Sequence, residues 1–291
     1  MKIFNHPELQ AFFNENGYVI VDFFNDEHIA VFLDFWERKN ASFDDGIFTS
    51  VYSWEPELNQ ELSDLMKRVA NPLLETYMKD CYIEGATFLV KGKDKNNTHF
   101  NLHQDYNLVD EFEDISMGLW IPLVDTTEEN GGLCVLPGTH RQFKGTIRSV
   151  NNPSLYIDIN NPKVTRHIQN LTIKKGQACI FSHSLFHGSP ANLKDEKRMV
   201  LHSGIFTKHS NFIHYFRNVE NGHENIEILK VNRTDYYRDI KSFSQNPKAY
   251  SEVIGTTERY TKTPDIEHVI SFMRSQYPQN KLARFLKKLM K

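Results

Sequence analysis

The chain has 291 residues, 40% of them apolar and 12% aromatic, and a formal net charge of −3. That composition excludes a disordered chain and supplies a sizeable core for one domain, since β-rich domains reach this length as single units. The slight negative charge excludes the basic surface of a nucleic-acid binder and favours a small or carrier-bound molecule as partner.

The opening residues Met1-Lys2-Ile3-Phe4-Asn5-His6-Pro7-Glu8 form no signal peptide, and no apolar run reaches transmembrane length. A cytoplasmic protein with no membrane span is expected. Residues 7–16 have helical spacing through Leu9, Phe12 and Phe13, and Gly17 stops them. Residues 18–24 read as a β-branched and aromatic strand. Asn25 then caps a second helix over 26–39, with Ile29, Phe32, Leu33 and Trp36 on one side. A longer helical stretch covers about 55–79, and Pro72 is expected to kink or divide it.

From Cys81 the pattern changes to short strands at 82–91, 115–123, 133–136, 171–173, 178–182 and 199–206. Asn130-Gly131-Gly132, Pro137-Gly138 and Lys175-Gly176 separate them, and such punctuation predicts a sandwich or jelly-roll barrel. Cys81, Cys134 and Cys179 are odd in number and lie in apolar runs, so buried free thiols are expected. Residues 207–260 carry little pattern, although Phe212, His214, Tyr215 and Phe216 are candidates to close the substrate side of the barrel. Residues 264–277 and 280–291 look helical. The last is rich in lysine and arginine around a stripe of Leu282, Phe285, Leu286 and Leu289, which is expected to pack on its own domain.

The whole reads as one domain over 1–291. A mostly helical part ends near residue 80, a β core spans 81–206, and an extension over 207–291 is helical at its end.

His103-Gln104-Asp105 has the two-residue period of an extended strand, so its imidazole and carboxylate leave the backbone on the same side while Gln104 points away. With His187 they form two imidazoles and one carboxylate, a set that seats iron(II) on one face and leaves positions for a bidentate co-substrate and dioxygen. Alone, His-x-Asp is a weak signal. Its weight rises with Phe186-His187-Gly188-Ser189-Pro190-Ala191-Asn192 and Arg198, which read as strand, turn and returning strand. If those strands pair, Arg198 lies across from His187 on the interior face shared by His202. A buried arginine needs an anion, and its fork of donors suits a carboxylate. Iron(II), the Asp105 carboxylate, a dicarboxylate and the Arg198 guanidinium sum to zero charge, so a closed pocket can hold all four.

Blander roles are expected for the neighbours. His183 rivals His187 but lacks the Gly-Ser-Pro-Ala-Asn that follows it, so a supporting role is expected. His140 belongs to a turn, and Asn130-Gly131-Gly132 is a tight strand connection. Tyr106 and Asn107 are expected at the pocket mouth. Asp110, Glu111, Glu113 and Asp114 form an acidic loop expected to be a solvated lid.

Taken in order, His103-Gln104-Asp105, Gly118-Leu119-Trp120-Ile121-Pro122-Leu123, Asn130 to His140, Gly176-Gln177-Ala178-Cys179-Ile180-Phe181 and His187 to Arg198 give a sequence that resembles the phytanoyl-CoA dioxygenase family of iron(II)/2-oxoglutarate oxygenases. The resemblance covers most of residues 10–206 and fades beyond. It implies a fold that is mainly β with flanking helices around a double-stranded β-helix, a jelly-roll or cupin-like core. It also implies His103, Asp105 and His187 as iron ligands, Arg198 and Ser189 as holders of the distal carboxylate of 2-oxoglutarate, and Trp120 as a lining residue of the co-substrate pocket.

The activity so implied is hydroxylation of a C–H bond in a small or carrier-bound metabolite, using Fe(II), 2-oxoglutarate and O2 and releasing succinate and CO2. Asp105 stands where halogenating relatives carry a small residue, so halogenation is disfavoured, while desaturation and ring formation stay open. Two other readings also stay open: a metal-holding domain of the same fold without turnover, and a cupin-like metalloenzyme that makes no use of 2-oxoglutarate and needs no Arg198.

Overall fold

Residues 116–122 are buried at every position, which in a strand requires cover on both faces. The computed structural model describes residues 1–39, 43, 45–93, 98–220, 223–259 and 263–276. Among these, Ser116–Pro122 (β5) lies inside a six-stranded antiparallel sheet of order β1-β8-β5-β10-β3-β2. The other members are Tyr18–Asp22 (β1), Ile47–Thr49 (β2), Cys81–Lys91 (β3), Gln177–Ser182 (β8) and Arg198–Thr207 (β10). A four-stranded sheet of order β4-β9-β6-β7 packs against it, built from Phe100–His103 (β4), Cys134–Val135 (β6), Gln169–Asn170 (β7) and His187–Ser189 (β9). This is the expected mainly β jelly roll with flanking helices.

Alternation along the strands separates two apolar layers. Ile83, Phe88 and Val90 of β3, Met117, Leu119 and Ile121 of β5, and Leu201 and Ile205 of β10 face the helices Pro7–Asn16 (α1), Asp26–Lys39 (α2), Ser50–Ser53 (α3) and Pro56–Tyr77 (α4). There they meet Phe32 of α2 and Leu62, Met66, Ala70 and Leu74 of α4, the last four at helical spacing. Each such side chain contributes about 1.5–3 kcal/mol by burial, so this layer anchors the large sheet. The opposite parity, Trp120, Cys179, Phe181 and Val200, points between the sheets towards Leu133, Val135 and Leu171.

The helix boundaries follow their local signals. The Asn25 side chain accepts the His28 N–H at 2.9 Å, capping α2, and Gly17 closes α1 at φ 85°. Helix α4 runs undivided through Pro72, which overturns the expected division of this stretch. Pro72 is exposed, as is Arg68, whose carbonyl loses its intrahelical partner, so that group is left on the solvent side.

Several strand readings need correction. The ladders expected at 133–136 and 171–173 reduce to Cys134–Val135 and Gln169–Asn170, with an isolated bridge between Thr126 and Ile173. The chain between β6 and β7 includes single helical turns, Thr139–Gln142 (α5) and Pro162–Thr165 (α6). Strand β9 does not return onto β10. It pairs with β4 and β6 in the small sheet, while β10 pairs with β3 and β5 in the large one, so Arg198 and His187 face each other from different sheets rather than across one ladder.

The extension beyond residue 207 also differs from a plain helical tail. Ile213–Glu220 (β11), His223–Val231 (β12) and Ser251–Thr257 (β13) form a third sheet, and Arg233–Arg238 (α7) and Ile240–Gln245 (α8) connect its last two strands. A helix over 266–276 follows, burying Val269, Ile270 and Met273 against Phe143 and Phe186. The basic segment 280–291 lies outside the described residues. No described helix is long and apolar enough to cross a membrane, and Cys81, Cys134 and Cys179 are buried free thiols.

His214 is fully buried among Tyr106, Tyr236 and Phe243, and burial holds its imidazole down to about 3 from an ordinary 6.5. The unfolded chain therefore binds a proton that the folded one refuses. This contribution to stability is whole above pH 6.5 and is lost as pH falls towards 3. Melting scans should show Tm falling between pH 6.5 and 4, with a shallower fall for His214→Phe; parallel curves would contradict this assignment.

Candidate active site

Strands β4 and β9 run antiparallel in a register that sets His103 directly opposite His187. Opposed side chains share one face with Cβ atoms about 4.5–5.5 Å apart, and here the two ring centroids are 4.5 Å apart. Strand β4 ends at His103, so Asp105 lies in the following loop, fixed by its N–H to the His183 carbonyl at 3.0 Å. Gln104 turns the other way, as the two-residue period requires, and its Nε2 donates to the Ser184 carbonyl at 2.6 Å. Asp105 Oδ1 then stands 3.8 Å from His103 Nε2 and 3.7 Å from His187 Nε2.

The donor set fits a divalent metal. His103 Nδ1 bonds the Asn101 carbonyl at 2.8 Å and His187 Nδ1 bonds the Leu185 carbonyl at 3.0 Å. A carbonyl accepts only, so each Nδ1 carries the proton and each Nε2 presents its lone pair towards Asp105, the tautomer that ligation needs. Burial and the neighbouring His187 push the His103 imidazole down to about 4, which keeps it neutral at pH 7. Burial opposes ionisation of Asp105, but the surrounding imidazoles of His187, His183 and His103 outweigh it and hold the carboxyl well below its ordinary value. The three ligand atoms lie within 4.8 Å of one another, in the two-His, one-carboxylate pattern of open iron(II) sites.

His183 is set apart from this group. Its Nδ1 bonds Ser116 Oγ at 2.9 Å, and its Nε2 is 4.0 Å from Asp105 Oδ2, the buried carboxylate oxygen that has no hydrogen-bond partner. His183 thus lines the same cavity next to Asp105 without joining the group of His103, Asp105 and His187.

Across the cavity, Arg198 is 2% exposed, with Nη1 donating to the Leu89 carbonyl at 3.3 Å and Nε without a partner. Burial lowers its guanidinium only to about 9, so it stays cationic at neutral pH. The β3–β10 register sets Lys91 opposite Arg198, and Lys91 is fully buried too. Lys91 Nζ donates to Ser189 Oγ at 2.6 Å and to the Pro190 carbonyl. Burial and the Arg198 guanidinium push the Lys91 ammonium down to about 5, and an anion bound at Arg198 would oppose both effects. Trp120 lies beside this pair, its ring 5.8 Å from Arg198 Cζ. Gly131, at φ 75°, lets the Asn130-Gly131-Gly132 turn press on Lys91, because a Cβ there would come 2.9 Å from Lys91 Cδ.

A cavity of 380 Å³ joins the metal group to Arg198, Ser189 and Trp120. Tyr106 lines it as expected, but Asn107 does not: it is 1% exposed and accepts the Arg148 N–H at 2.5 Å. The acidic loop is solvated only in part: Glu113 is exposed and pairs with Arg259 at 3.3 Å, while its neighbours are tied to the protein. Glu111 forms a buried ion pair with the fully buried Arg148, whose Nε donates to the Asp105 carbonyl at 2.6 Å, and Asp114 accepts from Thr207 Oγ1 at 2.9 Å. His140 packs on Phe13, away from the cavity. Phe212 and His214 stand one layer back, and the wall itself is Tyr236, Tyr237 and Ile240, with Tyr52 and Tyr156 opposite. Lys91 and these four tyrosines escape sequence reasoning.

A family model described as phytanoyl-CoA dioxygenase (PhyH) matches residues 13–200. The chain belongs to the phytanoyl-CoA dioxygenase family. Among solved structures this family member is similar to the non-heme alpha ketoglutarate dependent epimerase SnoN from nogalamycin biosynthesis, with 16% identity over 70% of this chain and 84% of that one at a TM-score of 0.50. It is also similar to the carbocyclase SnoK from the same biosynthesis, with 17% identity over 71% and 86% at 0.49. HygX from Streptomyces hygroscopicus, solved with iron bound, gives 16% over 70% and 87% at 0.49. At such identities the likeness is one of fold.

Replacing a ligand and replacing its neighbour should differ. His187→Ala should abolish stoichiometric binding of Mn(II) or Fe(II) in calorimetry, whereas His183→Ala should weaken it about 10-fold to 100-fold, the usual effect of a residue next to a ligand. Equal losses would make His183 a ligand.

Proposed function

We propose that the protein is an iron(II)- and 2-oxoglutarate-dependent hydroxylase of a small or carrier-bound metabolite. The observation that carries this reading is the placement of Arg198, a buried guanidinium with a free Nε, across one cavity from the His103, Asp105 and His187 group. A co-substrate with a carboxylate at each end would bridge the two, and 2-oxoglutarate has that form. A buried cation across the cavity from the metal group argues against a metal-holding domain without turnover, and a cupin-like enzyme without co-substrate has no use for it.

His103, Asp105 and His187 would hold the iron. Bound there, iron with 2-oxoglutarate and O2 supplies an oxidation in which one oxygen atom enters the substrate as R–H becomes R–OH and the other enters succinate, with loss of CO2. The chain's own share is orientation and exclusion. Backbone carbonyls at Asn101 and Leu185 fix the two imidazoles, and His183 stands next to Asp105. Arg198, with Ser189 beside it on Lys91, would take the distal carboxylate, and Trp120 would cover its chain. Buried free cysteines fit a reducing compartment, and a cytoplasmic location belongs to this reading.

Succinate release from 2-oxoglutarate by the iron-loaded protein, stimulated by a substrate, tests the proposal. Arg198→Leu should raise the KM for 2-oxoglutarate by a factor matching about 2–5 kcal/mol, the range for removing one partner of a buried charge pair, with metal affinity kept. An unchanged KM would favour a metalloenzyme that does not use this co-substrate.

A further inference from the structure

The chamber on the substrate side of the metal group carries almost no charge. Asp105 and Arg198 are its only acid and its only guanidinium, and no lysine or glutamate lines it among the described residues. Beside the buried Tyr236, once metal and co-substrate engage those two, a further ammonium or carboxylate would be desolvated without a counter-ion, a cost that disfavours it, whereas Tyr52 and Tyr156, 48% and 58% exposed, form a solvated rim. The cavity's 380 Å³ lies near the low end of the roughly 300–1,000 Å³ usual for small-molecule sites, so little more than one ring system fits beside the co-substrate.

What lines that space is phenolic. Tyr52, Tyr106, Tyr156, Tyr236 and Tyr237 all border it. Tyr156 stacks on the His103 ring at 5.7 Å, and Tyr236 meets Tyr237 edge to face at 5.1 Å. Phe212, His214 and Phe243 hold Tyr236 from behind, so the wall is packed. Tyr237 enters the barrel through a gap made for it. A Cβ on Gly85 would come 2.1 Å from its ring and a Cβ on Gly204 2.4 Å from its hydroxyl, and the β3–β10 ladder slips its register at that point. A phenol offers an apolar face together with one donor and acceptor, the combination that recognises rings bearing oxygen. Both residues lie beyond the 13–200 span that matches the family.

We infer that this chamber takes an uncharged, ring-bearing moiety with hydroxyl or carbonyl oxygens, and that Tyr236 and Tyr237 are the residues that select it. The inference rests on the iron and 2-oxoglutarate reading above. A library of ring-bearing metabolites, sorted into uncharged, anionic and cationic members, is tested for stimulation of succinate release by the iron-loaded protein. Stimulation should be confined to uncharged members. For the best of them, Tyr236→Phe and Tyr237→Phe should each raise KM at least tenfold, and Gly204→Ala, which displaces the Tyr237 hydroxyl, should do the same. Calorimetric affinities for Mn(II) and 2-oxoglutarate should stay at the wild-type values in all three, which excludes a folding defect. Stimulation by charged members, silence from every uncharged one, or tyrosine variants with unchanged KM would overturn the inference. Failure of the wild-type protein to bind 2-oxoglutarate with metal would overturn the parent reading instead.

Discussion

The opposition of His103 and His187 across β4 and β9 is the constraint on which the site depends. Side chains alternate along a strand, so a slip of one residue in that pairing would turn one imidazole out of the barrel and leave Asp105 with a single partner. The pairing is short, three residues on the β9 side, and is held by what surrounds it. Cys134 and Val135 of β6 flank β9 on its other edge, and Gln104 ties the loop after β4 to the Ser184 carbonyl. Arg148 adds a third tie, joining the Asp105 carbonyl to Glu111 inside the protein. The metal group thus has rigid support on each side, which an open coordination site requires if its geometry is to survive without a fourth protein ligand.

The two sheets divide the chemistry. The small sheet and its loop carry the imidazoles and the carboxylate, and the large sheet carries Arg198 and Lys91 at opposed positions of β10 and β3. An ammonium at Lys91 would lose its water beside the buried Arg198 guanidinium, so burial and that neighbouring charge favour the neutral amine there and leave Arg198 as the cation. Burial accordingly presses both downward, Lys91 to about 5 and Arg198 to about 9. Ser189 lies on both sides of this division, as the last residue of the ligand strand β9 and the hydrogen-bond partner of Lys91.

Much of this was legible in the sequence where the signal is local. Pro7, Gly17 and Asn25 mark helix ends by chemistry that acts within four residues, and the bounds of α1 and α2 follow. His103-x-Asp105 was readable because a two-residue period is a local property, and it holds although the strand stops at His103. Residues whose roles arise from distant pairing were not readable. Nothing near Lys91 announces Arg198 as its cross-strand neighbour, and Glu111 looked like a solvated acid because Arg148 lies far along the chain. The same blindness made β9 seem to return on β10. Tyr236 and Tyr237 sit on a six-residue helix with no periodic signature, and only the gap left by Gly85 and Gly204 shows where Tyr237 goes.

The proposed chemistry requires one cavity to hold a metal at His103, Asp105 and His187 and a carboxylate at Arg198 at the same time. A crystal structure of the protein with Mn(II) and a non-reactive 2-oxoglutarate analogue measures this directly. One metal is expected within bonding distance of both Nε2 atoms and the Asp105 carboxylate, with the analogue chelating it and its far carboxylate on the Arg198 guanidinium. A metal bound elsewhere, or an analogue whose far carboxylate turns away from Arg198, would contradict it.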